Sequence, residues 1–200
     1  MLKEELESIG LEFDKLFYER CGTFIALLQQ WGAVHNLTAQ LKKEQIEKNI
    51  IDSVYPLKFI NDFETLADIG TGAGYPGILI AIARPETKVT LIEPRAKRVA
   101  FLNFVKNTLG LSGVTVVQNR VENLQPQSFD LITSRAVTNT SLLLSLTTNI
   151  SDTNTEYLFY KGTLCDTELK EASVKNYEVV SFAEHRNYLY IKRKGLFDDI

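Results

Sequence analysis

A glycine-rich stretch, "LADIGTGAGYPG" at residues 66–77, limits the fold of this chain more than any other feature. A short β-rich run stops near Ile69, and a helix-length apolar segment follows at 77–84 before Pro85 ends it. Glycine turns between a strand and a helix let a ligand approach the backbone and present main-chain amides to it. The stretch therefore predicts a strand–turn–helix unit that holds a phosphate- or nucleoside-bearing ligand.

The alternation of strand-like and helix-length segments continues along the chain. Strands are predicted at 66–69, 88–93, 114–118, 129–133 and 156–160, with helices at 77–84, 95–109 and 139–149 between them. This pattern is typical of an α/β fold with a mostly parallel sheet and crossover helices. The run "YEVVSFAEHRNYLYIKRK" contains two strand-like pieces separated by too few residues for a crossover helix, so they should be antiparallel neighbours.

Residues 1–60 show a helical period instead. Apolar side chains from Phe13 to Trp31 recur at spacings near three and four, which predicts an amphipathic helix that ends at Gly32. A second helical segment follows until Pro56 interrupts it. We therefore expect a helical N-terminal extension at 1–60 and an α/β domain at 61–200, joined near "NDFETL".

Composition narrows the classes of function. The 200 residues, 44% of them hydrophobic, suffice for a sizeable core. The two cysteines, Cys21 and Cys165, are far apart and lie in no metal-binding pattern, so neither a disulfide framework nor a metal site is expected. The acidic start and the lack of a long apolar run predict a cytoplasmic protein without a membrane anchor.

The charge balance leaves a nucleic acid partner open. A net charge of -3 does not favour bulk binding of a polyanion. Any such contact must use local patches, for which Arg95, Lys97 and Arg98, or Lys192–Lys194, are candidates. Each patch taken alone is also typical of an ordinary solvated surface.

The glycine turn can be read in two registers that point to different ligands. Read as G-x-G-x-x-G at 72–77, it would place a dinucleotide pyrophosphate on the helix N-terminus, yet two residues separate it from the strand and Pro76 has no amide to offer. Read as D-x-G-x-G-x-G at 68–74, it follows the strand directly and favours a ligand without a pyrophosphate. Glu93, at the end of the second strand, can hold both hydroxyls of a ribose in either register.

Several short motifs in a fixed order resemble one known family. They are "HNLTA" (35–39), "DSVYPL" (52–57), "DIGTGAGYPG" (68–77), "RAKRVAFL" (95–102), "RVEN" (120–123), "SRAV" (134–137) and "YKG" (160–162). Together they resemble the bacterial 16S ribosomal RNA guanine-N7 methyltransferases, formerly called glucose-inhibited division protein B. The resemblance implies a Rossmann-like fold of the S-adenosylmethionine-dependent methyltransferases, with a seven-stranded sheet whose last strand is antiparallel and a helical N-terminal extension.

The resemblance also implies a cofactor, a target and a set of site residues. The methyl donor would be S-adenosylmethionine, and the acceptor guanine 527 (standard bacterial numbering) of 16S ribosomal RNA. Apart from the resemblance, we expect the RNA to lie within the small subunit or an assembly intermediate, and we expect a monomer because no extended apolar stripe demands a partner. The expected cofactor-binding residues are Asp68, Gly70, Gly72, Gly74 and Tyr75 in the turn, Glu93 at the ribose, Val121 and Glu122 at the adenine, and Arg135 at the mouth. The candidate substrate contacts are Arg135, Lys161, Arg186, Asn36, Thr38, Lys97 and Arg98.

The reaction explains why the sequence shows no catalytic constellation. Guanine N7 carries a lone pair and no proton, so it can attack a sulfonium methyl without a general base. Neither a Ser/His/Asp nor a Cys/His arrangement is evident, and both His35 and His185 lack a plausible nucleophile partner. Because it has no partner, His35 is interpreted as a loop or cap residue.

Three other functions fit parts of the pattern. A methyltransferase of protein or small molecules would share the fold, although the Asn-Pro-Pro-Tyr type of motif is absent. An NAD-dependent oxidoreductase would use the other glycine register and needs a hydride-transfer partner that does not appear. A non-catalytic RNA-binding module would not need the glycine turn together with Glu93.

Overall fold

A computed structural model of the chain describes residues 2–35, 37–38, 40–135, 138–162, 174–182 and 186–192, without the side chains of 33–35. Its α-helices are α1 (Leu2–Ser8), α2 (Lys15–His35), α3 (Lys43–Val54), α4 (Gly77–Ala83), α5 (Ala96–Thr108) and α6 (Thr140–Leu146). Its strands are β1 (Thr65–Ile69), β2 (Lys88–Ile92), β3 (Val114–Val117), β4 (Leu131–Arg135), β5 (Glu156–Lys161), β6 (Tyr177–Phe182) and β7 (Arg186–Ile191). Short 3-10 helices lie at Tyr55–Lys58, Val121–Asn123 and Thr148–Ile150.

The strands form one seven-stranded sheet in the order β3-β2-β1-β4-β5-β7-β6. Strands β1 to β5 are parallel, whereas β7 runs antiparallel to both β5 and β6. The antiparallel pairing of the last two strand-like pieces and the antiparallel last strand are confirmed. The order reverses beside β1, because β2 lies on one side of it and β4 on the other, and ligands of open α/β sheets bind at such a switch point.

Apolar residues cover both faces of the sheet, as a doubly wound fold requires. On one face, α2, α3, α4 and α5 pack in a single cluster with sheet residues such as Leu66 and Leu158. On the other face, Leu143 of α6 and Ile150 pack against alternate positions such as Ala67. The N-terminal helices therefore share one core with the sheet. None of the helices in the described ranges is long and apolar enough to cross a bilayer.

Gly32 does not end its helix, so that sequence prediction was wrong. Helix α2 runs on to His35. A Cβ atom built on Gly32 would lie 2.3 Å from Cδ2 of Leu41, so a side chain at this position would collide with the returning chain. The glycine makes room for a long-range contact that the local pattern does not reveal.

The fourth strand begins later than predicted. The expected range was 129–133, and β4 instead spans Leu131–Arg135. Asp130 accounts for the shift, because its Oδ2 atom accepts hydrogen bonds from the main-chain amides of Glu64 and Thr65 at 3.0 and 2.9 Å. Ladder pairing with β1 starts only after this contact, at Leu66 and Leu131. The shift makes Arg135 the last residue of the strand.

Candidate active site

A cavity of about 540 Å³ opens at the carboxyl ends of the central strands. Such a volume lies in the range of small-molecule sites. The cavity is lined by the loops after β1, β2 and β3, by the end of β4, and by Leu37 and Thr38 of the N-terminal segment. These loops meet because parallel strands end at the same edge of the sheet. Residues far apart in sequence, among them Gly70, Glu93, Val121 and Arg135, therefore share one space.

The glycine turn holds its shape through main-chain contacts at this edge. The amide of Gly70 donates to the carbonyl of Ile92 at 2.8 Å, and that of Gly74 donates to Thr71 O at 2.9 Å. Gly72 has a φ of 61°, a left-handed conformation that residues with a Cβ rarely adopt. Gly70 and Gly72 line the cavity, whereas Gly74 is in the turn but not among the lining residues.

The N-terminus of α4 offers no amide to a pyrophosphate. The Gly77 amide donates to Asp68 Oδ2 at 2.9 Å. The amides of residues 78–80 donate to the carbonyls of Gly74 and Pro76 at 2.9 to 3.0 Å. A dinucleotide pyrophosphate needs these groups as donors. The structure therefore favours the register at 68–74 and argues against the one at 72–77.

Asp68 lies beneath the turn and does not line the cavity. It is fully buried. Its Oδ1 atom and the hydroxyls of Thr71 and Thr133 make no hydrogen bond to any described residue. Burial raises the pKa of this carboxyl group to about 6, and the hydrogen bond from the Gly77 amide and the charge of Arg135 offset this rise only in part. Asp68 thus supports the glycine turn from beneath and contributes no atom to the lining of the cavity.

Glu93 presents a buried carboxylate to the cavity. It follows β2 directly and its exposed fraction is only 2%. Its Oε2 atom accepts hydrogen bonds from the Gly72 amide at 3.1 Å and from Arg98 Nη1 at 3.4 Å, and its Oε1 atom accepts one from the Arg95 amide at 3.0 Å. Because a carboxylate offers about four acceptor positions, Glu93 can still accept a ligand hydroxyl.

The loop after β3 supplies a mixed apolar and polar wall. Val121 and Glu122 begin the 3-10 helix Val121–Asn123, and Val121 is buried while Glu122 is exposed. Leu146, from the end of α6, lines the same space. Arg120 Nη1 lies 3.8 Å from Glu122 Oε1 at the exposed rim. Such a wall suits a flat heteroaromatic ring with polar edges.

Arg135 stands at the mouth of the cavity and is held from three sides. Its Nη1 atom donates to Asn49 Oδ1 at 3.0 Å and to Asp52 Oδ2 at 3.2 Å. Its guanidinium carbon lies 4.6 Å from the centre of the Tyr75 ring, a cation–π contact. The Tyr75 ring in turn packs edge-on against Phe24 of α2. The N-terminal helices thereby fix a side chain of the sheet.

A second cavity, of about 290 Å³, lies beside the first at the ends of β4 and β5 and the start of β7. Lys161 and Arg186 line it, together with Ser134, Thr138 and Phe159. Lys161 Nζ donates to the Thr138 carbonyl at 3.4 Å. Two of the predicted substrate contacts are therefore neighbours at the edge of the sheet.

The remaining predicted residues divide into three groups. Thr38 and Arg98 line the first cavity. Lys97 is exposed on α5 and lines neither cavity. Asn36, His185, Cys165 and the side chain of His35 lie outside the described residues, so their predicted roles stay predictions. Asp52 was not predicted as a site residue, although it is part of the motif "DSVYPL".

Residues 18–193 match the family model described as rRNA small subunit methyltransferase G, or GidB. The chain belongs to this family. It is 57% identical to the ribosomal RNA small subunit methyltransferase G of Aliarcobacter butzleri over 96% of this chain and 98% of that protein. It is 44% identical to the protein of the same name from Wolinella succinogenes, over 98% of each.

Solved structures show the same fold. A SAM-dependent methyltransferase from Aquifex aeolicus superposes with a TM-score of 0.59 and 18% identity over 77% of this chain and 100% of that one. A variant of MtNAS in complex with S-adenosylmethionine superposes with a TM-score of 0.56 and 16% identity over 89% of this chain and 72% of that one. With the family membership, the fold identifies the protein as an S-adenosylmethionine-dependent methyltransferase.

Proposed function

We propose that this protein transfers a methyl group from S-adenosylmethionine to N7 of guanine 527 (standard bacterial numbering) in 16S ribosomal RNA. Membership of the small-subunit methyltransferase family supports 16S ribosomal RNA as the substrate. The choice of N7 rests on the lining of the first cavity, where the only carboxylates among the described residues are Glu93 and Glu122. Glu93 already accepts three hydrogen bonds, and Glu122 is at the rim, so neither is set as a general base.

The cofactor fits the residues that are present. The buried carboxylate of Glu93 has acceptor capacity left for a ribose hydroxyl, and Val121 and Glu122 offer a wall to adenine. The turn 70–75 would hold the amino acid portion, with Asp68 supporting it from below. When bound, the cofactor supplies a methyl group on a positively charged sulfur.

Positioning is the main work left to the protein. N7 needs no deprotonation, so what the site must do is hold the guanine in line with the methyl–sulfur bond. Alignment of two reactants can supply about 7 to 11 kcal/mol of a barrier. We assign this role to Arg135, because it lines the first cavity and shares Asp52 with Arg186, which lines the second.

Binding of the RNA would use local cations, since the net charge is only -3. We assign phosphate contacts to Lys161 and Arg186 at the second cavity and to Lys97 and Arg98 on α5. We assign substrate contacts beside the cofactor to Thr38 and Asn36. Contacts of this kind set the register of a protein on a nucleic acid without reading its sequence. We further propose that the enzyme acts as a monomer on the small subunit or an assembly intermediate.

Position-specific chemical cleavage tests this proposal. Small subunits and naked 16S RNA from cells lacking the protein are incubated with it and labelled S-adenosylmethionine, and borohydride and aniline then cut the RNA at 7-methylguanine. We expect one new cleavage, at guanine 527, and much less of it with a Glu93→Gln variant at the same concentration of S-adenosylmethionine. A label without cleavage would refute N7, and cleavage elsewhere would refute the target. Comparison of the two substrates shows which form the enzyme prefers.

A further inference from the structure

We infer that Asp52, on helix α3, is a positioning residue that holds Arg135 and Arg186 in register across the two cavities. The inference rests on the proposed function where it is tested by methyl transfer to RNA. Its second test, the binding of S-adenosylmethionine, does not depend on the RNA target. It assigns a positioning role to the N-terminal helical segment, which supplies Leu37 and Thr38 to the lining of the first cavity and Asp52 to this ion-pair cluster.

The carboxylate of Asp52 bridges two strands. Its Oδ2 atom lies 3.2 Å from Arg135 Nη1, at the end of β4, and its Oδ1 atom lies 2.8 Å from Arg186 Nε, at the start of β7. Oδ1 also accepts a hydrogen bond from the Tyr188 hydroxyl at 2.9 Å. Strand β5 separates β4 from β7 in the sheet, so one side chain from outside the sheet spans three strands.

The orientation of this carboxylate is itself restrained. Asp52 is only 7% exposed. The Tyr188 hydroxyl also donates to its main-chain carbonyl at 3.2 Å, and the next carbonyl, that of Ser53, accepts from Tyr160 at 2.7 Å. Asn49, one turn earlier on α3, holds Arg135 as well. A rigid helix therefore sets where both guanidinium groups point.

The charge balance shows what the arrangement leaves available. One carboxylate pairs with two guanidinium groups, so these three side chains together carry one positive charge in excess. Each guanidinium carries five N–H donors, and Asp52 and Asn49 engage only Nη1 of Arg135. The pair can therefore meet phosphate or base oxygens of the RNA in addition to Asp52. Asp52 therefore fixes the positions of the two guanidinium groups, and their positive charge does not depend on it.

Asp52→Asn separates positioning from attraction. Asparagine has the same shape as aspartate, but its NH2 group replaces one of the two acceptor oxygens. Two donors then face each other at one of the arginines, and this arginine must move. We expect kcat to fall, by up to about 10²-fold, the scale of a small misplacement at a reacting centre. The affinity for RNA should not weaken, because the substitution adds one positive charge to the cluster. For the same reason, the logarithm of the association constant for RNA should fall more steeply with the logarithm of the salt concentration than it does in the wild type.

A double-mutant cycle shows through which residue Asp52 acts. In an Arg135→Ala or Arg186→Ala background, Asp52→Asn should cost far less kcat than it costs in the wild type, because the partner is already gone. Full additivity in both backgrounds would overturn the inference. So would a loss of RNA affinity and thermal stability with an unchanged kcat, the result of a purely structural role.

Asp62→Asn is the matched control. Asp62 pairs with Arg84 at 2.7 Å, an Asp–Arg contact that lies in neither cavity and in which the Asp62 side chain is 93% exposed. The same substitution there should leave kcat and RNA affinity unchanged. A comparable fall in kcat would show that loss of any such ion pair has this effect.

A second assay decides the inference even if the enzyme labels no ribosomal RNA, which would refute the proposed function alone. Arg135 lines the cofactor cavity, so its misplacement should weaken S-adenosylmethionine binding by about fivefold, the lower end of coupling between sites. Calorimetry should find this change for Asp52→Asn in the wild type and not in the Arg135→Ala background. No change, or an equal change in both, would overturn the inference.

Discussion

When Asp68 is replaced with asparagine, the stability of the variant relative to the wild type should increase as the pH rises from acid to neutral. Asp68 is fully buried, and burial raises its pKa in the folded protein to about 6 from an ordinary value of 3.8. The folded state therefore binds more protons than the unfolded state between these values. By linkage, the contribution of Asp68 to the free energy of unfolding falls as the pH rises through this window.

The magnitude follows from the two pKa values. A difference of about two units corresponds to about 3 kcal/mol between full protonation and full ionisation. Part of the titration lies below the practical range, so about 2 kcal/mol should be visible between about pH 4.5 and about pH 7. Asparagine does not titrate, and its Oδ1 atom can keep the Gly77 contact. Its amide can donate to the hydroxyl of Thr71 or Thr133, which lack partners among the described residues.

Denaturant unfolding of both proteins at several pH values measures this effect. The free energy of unfolding of Asp68→Asn minus that of the wild type should rise by about 2 kcal/mol from about pH 4.5 to about pH 7. The difference cancels the titration of all other groups. Retained binding of S-adenosylmethionine serves as the control for the fold. A flat difference, or one that falls as the pH rises, would refute the assignment of a raised pKa to Asp68.

Three further substitutions test two residues of the site and the packing at the start of helix α4. Glu93→Gln should weaken S-adenosylmethionine binding about 10- to 100-fold by calorimetry, because it replaces a charged acceptor, and an unchanged Kd would exclude the ribose contact. Arg135→Ala should reduce methyl transfer far more than the melting temperature, and equal losses of both would make it a structural arginine. Gly77→Ala should cost about 1–3 kcal/mol of stability because its Cβ would lie 2.4 Å from Cδ2 of Leu91. In Gly22→Ala, the control, no atom lies within 4 Å of the new Cβ, and the change should stabilise helix α2.

Local patterns predicted the parts of the fold that local chemistry controls. Strand and helix positions followed from the hydrophobic period, and the antiparallel final pair followed from the short connection between β6 and β7. The choice between glycine registers was also accessible, because Pro76 visibly lacks an amide. The decisive contact, from the Gly77 amide to Asp68, became evident only in three dimensions.

The predictions that failed depended on distant residues. Gly32 was interpreted as a helix end by its residue type, but Leu41 explains it. The start of β4 moved because Asp130 binds the amides before β1, and these positions are more than sixty residues apart. No local window contains both partners of such a contact.

The sequence by itself determined the fold class and the family, and it indicated some of the residues that line the first cavity, such as Glu93 and Arg135, because strand ends and turns carry recognisable residue types. Only the tertiary structure decided how these residues work together. Asp52 lies 83 residues from Arg135 and 136 from Tyr188, and its place in the motif "DSVYPL" does not show which residues it contacts. Packing of α3 against the sheet brings it between two arginines, since contact in a folded chain depends on proximity in space and not along the chain.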